Sequence, residues 1–133
     1  MIHLTIPLEP RTKKNSQQII KNRANGRYMI IPSKAYREYE KAASIYLPKL
    51  KINYPVNVRC VYYMATKRRV DLVNLQEATL DILVHADTLM DDNCKVVACM
   101  DGSYVDYDKA HPRTEIWIED LSNSTESCLN GDG

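Results

Sequence analysis

From residue 56 to residue 65 the chain alternates, with Val56, Val58, Cys60, Tyr62 and Met64 on one side. A period of two marks a half-buried strand, because successive side chains leave a strand on opposite faces. A chain holding such a segment needs partner strands for its backbone and an apolar layer for that face. It is the clearest strand of the sequence, and it runs into the basic cluster Lys67-Arg68-Arg69.

Other segments are consistent with a mixed sheet. Residues 2–8 alternate, with Ile2, Leu4, Ile6 and Leu8 on one side, and Pro7 favours a sheet edge or the strand's end. Residues 114–119 alternate again, and the nearly continuous apolar run 95–100 reads as a buried strand. Residues 17–20 and 27–31 form two short strands around Asn25-Gly26, a strong hairpin-turn pair.

Two segments carry the helical period instead. Pro32-Ser33 opens the first, with Ser33 as its N-cap, Ala35, Tyr39, Ala42, Ala43 and Tyr46 at helical spacing, and Pro48 marking its end. Residues 71–84 form the second, with Asp71 as N-cap. The expected fold is a small single domain of α/β (α+β) class. It has a mixed sheet of about four to six strands, two principal helices and an open strand order. The domain spans residues 1–120, and residues 121–133, polar and aperiodic, read as a disordered tail.

Composition removes several classes. Hydrophobic residues make up 44% and charged residues 26% of the 133 residues, an ordinary globular balance. No apolar run approaches the roughly 18 residues of a membrane span, and no basic stretch precedes an apolar core as in a secretory signal. Cys60, Cys94, Cys99 and Cys128 include no Cys-x-x-Cys pair, which argues against structural zinc. They read as reduced thiols, Cys60 and Cys94 or Cys99 as small hydrophobes, in a cytoplasmic protein.

Charge is distributed unevenly. Residues 1–69 hold 15 Lys and Arg against three acidic residues, giving +12, whereas residues 70–133 hold three against 14, giving −11. Either the halves attract each other, or the basic half meets a polyanion while carboxylates hold divalent cations at the phosphate. The helix 71–84 bears on that choice. At about 100° per residue, Leu72, Leu75, Thr79, Ile82 and Leu83 share one arc, Val73, Leu80 and Val84 another. Asn74, Glu77 and Asp81 form only a thin polar seam, so partly desolvated carboxylates are expected.

Asp71 follows Lys67-Arg68-Arg69, and Asp91-Asp92 lies in a loop before a strand. Loops at strand and helix ends can bring these aspartates together, and hard oxygen ligands of this kind suit Mg²⁺ or Mn²⁺. Carboxylates beside arginines suit phosphodiester hydrolysis. The plainer alternatives are that Asp71 only caps a helix and Asp91-Asp92-Asn93 only makes a turn. Glu77 and Asp81 would then pair with basic residues of the first half, and residues 67–69 would form a solvated loop.

The sequence from Arg68 to Ala78, then Leu80-Asp81-Ile82-Leu83, then Asp91-Asp92, resembles the RusA family of Holliday junction resolvases, small phage and prophage endonucleases. Pro10 to Ser16 and Pro32 to Tyr36 match more weakly. The resemblance implies a homodimer that cuts four-way DNA junctions symmetrically with Mg²⁺ (Mn²⁺ possible). It implies no small-molecule cofactor and no membrane. Asp71 and Asp92 match the catalytic aspartates, with Asp91 beside the second, and Asn74 and Asp81 match pattern positions. Val73 stands where the family motif has another aspartate, and Glu77 where familiar members have lysine. Glu77, one turn from Val73, is the expected substitute, giving Asp71, Glu77, Asp91 and Asp92 as metal ligands. Lys13, Lys14, Lys67, Arg68 and Arg69 would contact phosphates, with Asn74 also at the DNA. The other readings are a catalytically silent branched-DNA-binding protein and a self-association module built on the charge split.

Overall fold

The computed structural model describes residues 1–13 and 17–122. Lys14, Cys128 and the expected tail from residue 123 lie outside them. Strands β1 (Ile2–Ile6), β2 (Gln17–Lys21) and β3 (Tyr28–Pro32) are followed by helix α1 (Lys34–Ser44), strand β4 (Val56–Met64) and helix α2 (Leu72–His85). Strands β5 (Val97–Cys99), β6 (Tyr104–Tyr107) and β7 (Arg113–Asp120) complete the order. This is the expected α+β domain with two helices and a mixed sheet.

β4 is the centre of a five-stranded sheet ordered β1-β7-β4-β5, with β6 also on β4. β7 runs antiparallel to β4 from Val56↔Asp120 to Tyr63↔Arg113, and β1 runs antiparallel to β7. β5 and β6 both pair with β4 in parallel, β5 near its start and β6 at its end. A parallel neighbour requires a crossover, and α2 is that crossover between β4 and β5. α2 therefore runs back against β4. Its N-terminus sits at the end of the sheet where β4 finishes, its C-terminus where β4 and β5 begin.

Val56, Val58, Cys60, Tyr62 and Met64 of β4 are all buried, as the alternation predicts, and Val61 on the opposite side is buried as well. Both helices cover this one face. Tyr36, Tyr39 and Ala43 of α1 and Leu75, Ala78, Ile82 and Leu83 of α2 join Ile6, Ile116 and Ile118 in one core. The Tyr62 hydroxyl meets Thr79 Oγ1 at 2.8 Å, and the Thr79 hydroxyl donates to the Leu75 carbonyl at 2.9 Å, a buried polar link between sheet and helix.

Several expectations are corrected. α1 ends at Ser44, four residues before Pro48, and its buried face is Tyr36, Tyr39 and Ala43, with Ala35 and Tyr46 exposed. Ser33 does cap it, accepting the Tyr36 N–H at 3.1 Å. The run 95–100 yields only three strand residues, and these lie at the sheet edge with Ala98 exposed. β6 follows unforeseen after the turn at Gly102, all four of its residues exposed. Asn25-Gly26 does join β2 to β3, but inside a four-residue loop closed by the Asn22–Arg27 pair. Cys94 is exposed, not packed.

Candidate active site

The loop of residues 65–70 carries the chain from β4 to α2 over one end of the sheet. Lys67 turns toward β6, its Nζ 5.2 Å from the Tyr107 ring centroid. Arg68 and Arg69 turn the other way. With Val70 and Met64 they line a cleft whose opposite wall is Glu9, Pro10, Arg11 and Thr12, the arm that leaves β1. None of the three guanidinium groups pairs with a carboxylate among the described residues.

Asp71 comes next in the chain. It occupies the N-cap position of α2 with extended backbone, yet its side chain makes no capping hydrogen bond. Instead its Oδ2 accepts from Asn74 Nδ2 at 3.3 Å. The helix thus forgoes a stabilisation of about 1 kcal/mol, and an exposed carboxylate is left beside the basic cleft.

The other expected site residues are spread along α2. Asp81 pairs with Lys13, Nζ to Oδ2 2.6 Å, and the same ammonium lies 6.0 Å from the Tyr36 ring centroid. The alternative that Asp81 pairs with a basic residue of the first half is therefore realised. Glu77 is exposed and has no partner among the described residues. Glu77 is therefore not desolvated as the thin polar seam suggested, whereas Asp81 is partly buried. Val73, one turn before Glu77, is 61% exposed.

Asp91 and Asp92 lie past the far end of α2. Asp91 organises a turn, accepting the Asp92 N–H at 2.7 Å and Asn93 Nδ2 at 3.1 Å. The Asp92 carboxylate is exposed and unpartnered among the described residues. Fourteen helical residues separate these aspartates from Asp71, about 21 Å at 1.5 Å per residue. Glu77 lies about 9 Å along the axis from Asp71 and about 120° round it. One chain therefore does not bring the four carboxylates together, and no three His, Cys, Asp or Glu side chains among the described residues are placed to hold a metal ion.

Sequence reasoning missed Arg11 and Glu9. Arg11 lies in the segment Pro10 to Ser16, which the sequence marks only by a weak family match. What aims it is the burial of its neighbour Thr12, 3% exposed, a tertiary fact with no local signature.

The family model for endodeoxyribonuclease RusA matches residues 7–119, most of the chain and all of the arm, loop and helix just described. The chain belongs to the RusA family. At the family level that is an endonuclease resolving Holliday junctions. No curated protein sequence matches significantly. Within this RusA-family chain the match covers Asp71, Asp91 and Asp92, and equally the cleft-forming Arg11, Arg68 and Arg69. No helix among the described residues is long and apolar enough to cross a membrane.

Proposed function

We propose that this protein is a metal-dependent endodeoxyribonuclease that resolves four-way DNA junctions by paired, symmetric phosphodiester hydrolysis. The observation that carries the reading is the exposed carboxylate of Asp71 next to a cleft walled by three guanidinium groups without carboxylate partners. Arginines on that cleft neutralise a scissile phosphate and hold it by its oxygens, and their charge stabilises the transition state of hydrolysis. Lys67 extends the phosphate track toward β6. Such contacts are indifferent to base sequence and steeply salt-dependent.

The carboxylates of one chain do not fit a Mg²⁺ or Mn²⁺ ion, so the proposal needs a homodimer. Away from its core face α2 carries exposed Val73 and the partly buried Leu80 and Val84, an apolar strip with Glu77 beside it. Two such helices packed antiparallel across a two-fold axis would set Asp71 of one copy near Asp91 and Asp92 of the other. Two equivalent sites would then match the two equivalent strands of a junction.

The test is cleavage of a synthetic four-way junction in Mg²⁺, with linear duplex and Asp71→Asn as controls. Paired nicks that vanish in the variant support the reading. Tight junction binding without nicks in Mg²⁺ or Mn²⁺ would instead favour a catalytically silent junction-binding protein. Val73, which supplies no carboxylate at its position, is the residue that favours this second reading.

A further inference from the structure

The arm of residues 9–13 leaves β1 and meets both helices, fixed at three successive residues. The Arg11 backbone lies beside the side chain of the buried Tyr39 of α1. Thr12 is buried. Lys13 is tied to Asp81 of α2 at 2.6 Å. These anchors leave the Arg11 side chain exposed, lining the same cleft as Arg68 and Arg69. Glu9 is the only carboxylate on that lining, so three positive charges face one negative charge across a small concavity. Planar guanidinium groups crowded in this way fit a phosphate, which they hold through parallel hydrogen bonds.

Lys13 fits that role less well. Its ammonium is already engaged with Asp81, and a half-exposed ion pair of this kind adds little to stability on its own. What the pair does supply is position, because it fastens the arm to α2, the helix that bears Asp71.

We propose that Arg11 grips a DNA phosphate together with Arg68 and Arg69, and that Lys13, through Asp81, is a positioning residue that holds the arm carrying Arg11. The proposal rests on the junction-binding reading above. It redistributes the work of the basic arm, with Arg11 touching the ligand and Lys13 holding the scaffold.

The experiment measures binding of the full-length protein to a synthetic four-way junction without divalent metal, across a salt series. Arg11→Gln should bind roughly tenfold more weakly at about 0.1 M salt, and its plot of log K against log salt should be shallower by about one unit. Its melting temperature should match wild type, since the side chain is exposed. Asp81→Lys adds positive charge near the DNA, yet it should weaken binding, because it repels Lys13 and frees the arm. Lys13→Asp should also weaken binding. The double reversal Lys13→Asp with Asp81→Lys should return affinity and slope to within about twofold of wild type. An unchanged slope in Arg11→Gln overturns the role of Arg11. Tighter binding by Asp81→Lys, or a double reversal as weak as Lys13→Asp alone, overturns the role of Lys13. Failure of the wild-type protein to bind the junction at all would sink the junction reading itself, a result distinct from either.

Discussion

At the scale of single residues, environment separates groups that look alike in sequence. Burial pushes the Cys60 thiol up to about 12, so it stays protonated and inert at neutral pH. Cys94 is exposed. Iodoacetamide at pH 8 should therefore label Cys94 in the native protein and leave Cys60 unlabelled until denaturant is added, as peptide mass spectrometry would show. Labelling of native Cys60 at the rate of Cys94 would contradict its place in the core. Asp71 shows the same division. Its position at a helix start was legible, but the rotation of its carboxylate away from the helix N–H groups toward Asn74 was not. If that carboxylate serves catalysis, Asp71→Asn should abolish nicking and leave the melting temperature within a few degrees of wild type, because no cap is lost. Arg11 was illegible for another reason: nothing in the order Pro10-Arg11-Thr12-Lys13 reveals which side chain is swallowed by the core.

At the scale of elements, legibility followed burial. β4 and β7 each have one face in the core, so their alternation survived in the sequence. β6 lies exposed at an edge and β5 is three residues long, and neither needs a pattern. The helical stripe of α1 is right at Tyr39 and Ala43, but Ala35 and Tyr46 are exposed and Tyr36, outside the expected stripe, is the third buried residue. Removing the Ser33 cap is a clean check on that helix. Ser33→Ala should lower unfolding free energy by about 1 kcal/mol in a urea titration with an unchanged slope. On the other face of the sheet, Arg113 bridges Asp108 and Glu115, each at 2.9 Å, and His3 also meets Glu115. The Arg113 hydrogen bond lowers the Asp108 carboxyl. For Glu115 burial pushes upward, but the hydrogen bonds from Arg113 and His3 prevail and its carboxyl is lowered too. Folded values below the unfolded ones, roughly 3.9 and 4.3, give stability that is complete above that range and is lost as pH falls through the depressed values. Arg113→Met should therefore melt below wild type at pH 7, with the gap narrowing below about pH 4. A gap constant from pH 7 to pH 3 would show that the network contributes nothing through ionisation.

At the scale of the whole molecule, the separation of Asp71 from Asp91 and Asp92 by the length of α2 sets the sharpest test. Asp71→Asn and Asp92→Asn proteins, each inactive alone, should regain nicking when mixed if the site is shared between copies. A mixed dimer then carries both substitutions in one site and none in the other, so it should cut one strand per encounter. A site within one chain would leave the mixture as inactive as its parts. The strand order also ties the molecule together in time. β1 is made before the other described strands, yet it joins the sheet through β7, which is made after them. Until about residue 120 has emerged, β1 has no strand to pair with, and the arm that follows it has no fixed path. The phosphate cleft is therefore among the last features a nascent chain acquires, so a ribosome stalled before β7 would display a positively charged, unfolded segment with no cleft to organise it.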